Sequence, residues 1–277
     1  MPWHAHLSLH YQHQGGHTVL RHAHEGPLRV FKSLYPEGDA ICHNVIVHPP
    51  GGIVGGDRLD IRVRAEAGSH GLLSTPGATR FYASDGEPGT QQVDIRLAGD
   101  ARLEWLPLET LAYPGCQAHN RLCMALEDDA EMIGWDVLAL GLPAAARPFT
   151  HGQVVQRIEW PGVWLEQARI DGQDQRLLDA PLGLGGRRCL GTLWLASAQA
   201  MSAARRETLL DAVRATLPGP GEGVVDMAAT CPDPHLLVVR GLAHLVEPLM
   251  AALQAAWASL RHQAWQLPAV PPRVWQV

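Results

Sequence analysis

Three stretches in the middle of the chain restart on one pattern. "GSHGLLSTP" begins at residue 68, "GDARLEWLP" at 99 and "DDAEMIGWD" at 128, offsets of 31 and 29 residues. Each follows an alternating segment, makes a small polar turn and enters a second apolar segment. A period near thirty in strand-forming sequence predicts stacked hairpins or coils, because neighbouring units then bury the apolar face that none can bury alone. Ordinary hairpins with similar turns account for the same spacing.

The rest of the first two thirds also reads as strand. "LRVFKSLY" and "AICHNVIVHP" are β-branched and apolar between Gly and Pro boundaries. "DRLDIRVRAEAG" sets Leu59, Ile61 and Val63 on one face and Asp60, Arg62 and Arg64 on the other. The last third changes character. "RETLLDAVRATL" spaces Leu209, Leu210, Val213 and Leu217 as a helix, which "PGPGEG" stops, and "HLLVVRGLA" reads as a buried strand. In "VEPLMAALQAAWASLRHQA", Val246, Leu249, Met250, Leu253, Trp257 and Leu260 form one helical stripe, with Pro248 near its start. The expected fold is mainly β: stacked or coiled strands over residues 1–198, and a small C-terminal mixed α/β portion over 199–277, with about two helices, packed on it as one structural domain.

A net charge of −6 and a pI of about 6.2 exclude the basic stripe that a nucleic-acid partner requires. The longest pale stretch, 133 to 149, contains Asp136 and Arg147, so no membrane span is expected. The start lacks a basic cluster followed by an apolar run, and five scattered cysteines form no C-x-x-C; both point to a cytoplasmic chain with reduced thiols.

Histidine is abundant, 15 in all, and it crowds the N-terminus. His4, His6, His10 and His13 are candidates for weak capture of a divalent metal, since imidazole suits nickel, copper and zinc alike. An exposed strand face that tolerates histidine is the favoured reading, because spacing alone does not make a site.

"HPPGGIVGGDRL", residues 48 to 59, runs from its glycines into Asp57 and a strand. A phosphate-gripping loop would end in Gly-Lys-Ser/Thr at a helix, so nucleotide binding is rejected. Gly51, Gly52, Gly55 and Gly56 instead permit positive φ or the close approach of another chain. The loop reads either as a turn or as a contact surface or pathway wall, flanked by His48 and Asp57.

"GPL" at 26, "YPEG" at 35, "HPPGGIVGGDRL", "TPGATRFY" at 75, "LEWLPLET" at 103, "IGWDVLALG" at 133 and the terminal "PPRVW" occur in this order. Together they closely resemble the urease accessory protein family UreD, called UreH in some bacteria. The nameable motifs start near residue 26, which marks residues 1 to 24 as dispensable for the core activity. Arg80 stands where the family usually has lysine, Leu108 where it often has glutamine and Asp136 where glutamate is usual. "GLPAAARPF" at 141 is a worn version of a family segment that normally carries an arginine and an acid.

The resemblance implies a mainly β scaffold rather than an enzyme. It also implies a complex with a helical accessory protein, UreF, and a GTPase, UreG. That complex docks on the urease structural subunits and assists nickel insertion, with no tightly bound cofactor and only transient nickel. The residues themselves offer no G-x-S-x-G elbow and no H-E-x-x-H. His48, Asp57, Glu104, Glu109 and Asp136 are candidates for a path of weak, exchangeable oxygen and imidazole ligands. Leu103 and Trp105 share a strand face, which turns Glu104 to the other. Gly51, Gly52, Gly55, Gly56, Thr75, Tyr82 and Trp105 are candidate partner contacts. The apolar C-terminal helix suggests a hidden interface, and Asp57→Ala is expected to leave stability unchanged. Two other readings stay open: a β-solenoid carbohydrate-active enzyme using paired acids, and a histidine-rich metal-binding protein.

Overall fold

The computed structural model describes residues 2–219 and 224–276. From residue 41 the chain shuttles between two sheets. Ile41–Val47, His70–Ser74, Arg102–Trp105 and Glu131–Leu140 lie side by side in one sheet. Arg58–Ala65, Gly89–Leu97, Gln117–Leu126 and Gln153–Trp160 lie side by side in the other. Neighbours in both rows are parallel and in register. This is a stacked β-coil of solenoid type, and the hairpin explanation of the repeat is set aside by the parallel pairing.

The register gives steps of 32 and 29 residues: His70 beside Arg102 beside Glu131, and Leu59 beside Gln91 beside Asn120. The repeat starts themselves, Gly68, Gly99 and Asp128, all occupy the left-handed region, at φ of 76°, 62° and 54°. Aspartate is one of the few residues that substitutes for glycine there. These corners stack as well, Gly68 N donating to Asp100 Oδ1 at 2.6 Å and Asp129 N to Gly99 O at 2.9 Å. One more residue separates Gly99 from Arg102 than Gly68 from His70, which is why the strands step by 32 where the corners step by 31.

The N-terminal hairpin, His4–Gln14 and His17–Glu25, completes the first, seven-stranded sheet. Its first strand runs parallel to Arg58–Ala65. Ala5, Leu7, Leu9 and Tyr11 point inward and are at most 1% exposed, while His4, His6 and His10 point outward. His4–Gln14 and His17–Glu25 therefore form a structural strand and its edge partner, a correction to the expectation that this segment is dispensable. The outward histidines masked an ordinary alternating pattern.

At the other end Cys189–Ser197, Leu236–Ala243 and Val225–Asp233 continue the second sheet antiparallel. Two α-helices lie in the C-terminal portion, as expected, and a third, short one lies earlier, within the strand body. Helix α1 (Gln175–Asp179) is a short turn capped by Asp174; α2 (Ala203–Arg214) is capped by Ser202; α3 (Val246–Trp265) ends on Gln266 in the left-handed conformation. Helix α2 ends before "PGPGEG", part of which lies outside the described residues. No helix among the described residues is long and apolar enough to cross a membrane.

The two sheets enclose one core, containing Leu103 and Trp105; α2 and α3 cover the outer face of the second sheet and enclose another. The α3 stripe is spent on this second core, with Leu249, Leu253, Trp257 and Leu260 at most 1% exposed. The apolar helix thus does not present the hidden interface expected from its sequence. Trp275 in the terminal "PPRVW" packs on Trp135 and Trp257 and donates to Ser74 Oγ at 2.8 Å.

Glu104 points away from Leu103 and Trp105, as alternation requires, and meets α3. It is fully buried, yet both oxygens are satisfied. His70 Nε2 lies 2.9 Å and Arg261 Nε 3.0 Å from Oε1, and Trp257 Nε1 donates to Oε2 at 2.7 Å. Arg261, also fully buried, donates to both oxygens of Glu37, which pairs with His43. Hydrogen bonds and opposite charge hold the Glu104 carboxyl below its ordinary value against the upward push of burial.

Two outcomes follow from this packing. A chain beginning at residue 26 loses Leu7, Leu9 and Tyr11, three large buried side chains worth about 1.5–3 kcal/mol each, a sum comparable to a domain's whole stability; circular dichroism and soluble yield should report it unfolded, whereas His4→Asn/His6→Asn/His10→Asn should fold. Arg261→Ala strands the buried Glu104 and Glu37 carboxylates and should cost about 3–5 kcal/mol in denaturant unfolding.

Candidate functional site

Between the sheets lies a cleft of about 210 Å³ whose wall includes His48, Gly51, Gly52, Thr75, Gln91 and Trp105. A smaller hollow of about 20 Å³ shares Thr79, Gln91, Trp105 and Pro107 with it and reaches Asn120 and Asp136. The two hollows adjoin through these shared residues.

Their polar lining comes from stacking. Gln91, Asn120 and Gln156 occupy the same register position on three successive strands of the first sheet. Gln91 Nε2 donates to Asn120 Oδ1 at 3.2 Å, and Asn120 Nδ2 to Asp136 Oδ2 at 3.1 Å; Gln156 Nε2 donates to Asp136 Oδ1. Asp136 stands opposite them on the second sheet. Burial pushes its carboxyl up to about 6; the two amides oppose this, and Glu166 nearby adds to it. Asp136 is therefore mostly ionised at neutral pH and protonates on mild acidification.

At the other end of the cleft His48 is half-buried, and its Nε2 is enclosed without a hydrogen-bond partner. Burial lowers its pKa, against the opposing charge of Asp57, so the neutral ring is favoured. Neutral imidazole with a free ring nitrogen is the form that binds metals.

The other candidates lie elsewhere. Asp57 is 2% exposed and accepts from Trp3 N at 2.7 Å and Val54 N at 3.0 Å, so it ties the glycine loop to the N-terminal strand. Glu104 is held under α3. Glu109 lines a separate groove of about 300 Å³ beside Leu142 and Leu245. Among the described residues no three His, Cys, Asp or Glu side chains are placed to share a metal ion. The N-terminal histidines are dispersed: His4 pairs with Asp60, His6 with Ser8 and His10 with Glu66, while His13 lies exposed near Gly68.

The four loop glycines divide by cause. Gly51 and Gly56 have φ of 78° and 81°. Gly52 and Gly55 are close approaches: a Cβ would fall 2.0 Å from the Tyr82 ring and 1.9 Å from Ser84 Oγ. Tyr82 is in turn wedged edge-on against Tyr113 at 4.7 Å. Thr75 Oγ1 accepts from Leu108 N at 2.9 Å, and Trp105 is 5% exposed. Of the four glycines, Gly51 alone has open space where a Cβ would stand. The amide series went unread in the sequence, although Asn120 interrupts an inward face of Ala118, Leu122 and Met124.

With both carboxylate oxygens bonded to backbone N–H groups, Asp57→Ala should destabilise the fold by about 1–3 kcal/mol, reversing the sequence expectation. Gly51→Ala, strained but unobstructed, should cost about 1 kcal/mol, and Gly52→Ala more, as thermal unfolding of the three variants will show.

A family model described as UreD urease accessory protein matches residues 4–276, so the match includes the N-terminal strand that the motifs did not reach. A urease accessory protein UreD from Variovorax paradoxus is 55% identical over 99% of this chain and 99% of its own length. UreD from a Polaromonas species is 52% identical over the whole of both chains, and that of Methylibium petroleiphilum 46% identical over the whole of both. These relatives are named as accessory proteins rather than as catalysts. The chain belongs to the UreD family of urease accessory proteins.

Proposed function

We propose that this protein is a cytoplasmic, non-enzymatic scaffold of urease maturation. It binds the apo-urease structural subunits together with the helical accessory protein UreF and the GTPase UreG, and it assists nickel insertion. Nickel is cargo, held transiently. The observation that carries the reading is the pair of adjoining inter-sheet hollows, taken as one passage, with His48 at one end and the amide series leading to Asp136 at the other. Imidazole nitrogen, amide oxygens and one carboxylate are ligands from which a divalent ion exchanges readily. Of the five candidates, His48 and Asp136 line the passage; Asp57 and Glu104 support its walls. The outward N-terminal histidines His4, His6, His10 and His13 add a separate, weak capture surface.

Asp136→Asn keeps the side-chain shape and removes the charge. Purified urease recovered after activation at limiting nickel should contain less nickel with this variant, while the accessory complex assembles as before. Acidification supplies a second reading of the same residue. At about pH 5, one unit below a pKa of about 6, roughly one carboxyl in ten remains ionised. Transfer by the wild type should fall as pH drops through 6, and transfer by Asp136→Asn should not follow that curve. Equal nickel content with both proteins at every pH defeats the path; loss of complex assembly in the variant defeats Asp136 as a purely ligating residue.

A further inference from the structure

The outer face of the seven-stranded sheet carries a row of cations in register. Arg21 lies opposite His10, His10 beside Arg64, and Arg64 beside Arg96, on four successive strands. Adjacent strands are about 4.8 Å apart, so Arg64 and Arg96 stand side by side as permanent cations, with Arg21 two strands from Arg64 across the His10 imidazole. Arg21, Arg64 and Arg96 are exposed. Among the described residues none of the three makes an ion pair, although the same face pairs Arg58 with Asp60 and Arg157 with Glu159. Glu66, at the end of the Arg64 strand, is taken by His10 and Gln12. Like charges directly opposite one another destabilise a sheet. The row stands out further because the chain as a whole carries −6.

We propose that this row is a docking surface for an acidic protein partner, one that sets a line of carboxylates against Arg64 and Arg96. Guanidinium groups suit carboxylates because their planar forks pair with both oxygens. A nucleic acid fits less well. The neighbouring rows interleave Asp60 and Asp94 with the arginines, and these would face phosphates. A second copy docked face to face would set cation against cation. The surface lies on the outside of the sheet, away from the passage, and does not depend on nickel transport.

The physical signature is a trade-off. Arg64→Glu/Arg96→Glu relieves repulsion within the isolated chain, so its thermal midpoint should hold or rise while binding is lost. The full-length chain is titrated at low salt with poly-L-glutamate and, separately, with duplex DNA. It is also titrated with purified urease subunits and each purified accessory protein. The matched control is Arg176→Glu/Arg273→Glu, an equal change of net charge at exposed sites in α1 and the C-terminal turn.

The proposal expects the row variant, and not the control, to lose at least about tenfold in affinity for poly-L-glutamate and for one protein partner, with a weakened salt dependence. It is overturned if the row variant and control behave alike, if DNA binds more tightly than poly-L-glutamate, or if the row variant melts well below the wild type. Binding of poly-L-glutamate without any urease-system protein would sink the maturation role and leave this surface standing. Binding of the partners with full strength by the row variant would do the reverse.

Discussion

Parallel, in-register stacking is the constraint on which the remaining structure depends. When one coil lies directly on the next, a residue's neighbours are set by its counterparts one turn away rather than by the local chain. Leu7, Ile61, Val93, Leu122 and Ile158 form one ladder across five strands of the first sheet. Burying such a ladder stabilises every coil at once, and no coil holds its apolar face without its neighbours. Two residues earlier the ladder reads Ala5, Leu59, Gln91, Asn120 and Gln156. It changes from apolar to polar at the third strand, and there the passage begins. Amides tolerate this position because each can bond to the next along the stack, so their burial does not leave polar atoms stranded. The same rule acts outside, where it sets Arg64 beside Arg96 with no such compensation.

The second sheet needed a different solution. Its outer face is too apolar to meet water, and α2 and α3 cover it. Placing Glu104 beneath that cover would be costly alone, since a buried carboxylate loses its hydration. His70, Arg261 and Trp257 replace water at three points, and Glu37 balances the second side of Arg261. The result joins strands of neighbouring coils, the C-terminal helix and the loop at residue 37 into one assembly. Trp105 lines the cleft from the opposite face of the Arg102–Trp105 strand, so the Glu104 cluster and the cleft lie on opposite sides of that sheet.

What the sequence disclosed follows from how local its signals are. The coil corners at Gly68, Gly99 and Asp128 were legible because each is a short turn with its own residue chemistry. The α3 stripe was legible because helical spacing is a local property. The partners of Glu104 were not, since Arg261 lies 157 residues away. Asp57 read as a free ligand because nothing local shows that a strand from the far N-terminus would bring Trp3 N–H to it. The histidine tract misdirected for a related reason: conspicuous side chains occupy the outward positions, and the alternation of Ala5, Leu7, Leu9 and Tyr11 beneath them is quieter. The amide series needed the register itself, because Gln91, Asn120 and Gln156 are separated by unequal steps.

The cysteines bear on whether the interior is suited to transfer or to storage. Thiolates would hold nickel firmly, whereas protonated thiols are poor ligands. Cys42, Cys116 and Cys189 are buried, and burial pushes the last two up to about 12, so they are protonated at neutral pH. Cys116 and Cys189 also lie outside the lining of the passage. The polar lining includes a neutral imidazole, amide oxygens, the Arg80 guanidinium and a carboxyl that burial pushes up to about 6. Each contact is weak, and the amides are already bonded to one another, so an arriving ion competes with existing hydrogen bonds at every step. Arg80 lines the cleft as well, so a fixed positive charge shares the cleft with His48, and a cation on the proposed path would pass it before reaching the Asp136 carboxylate.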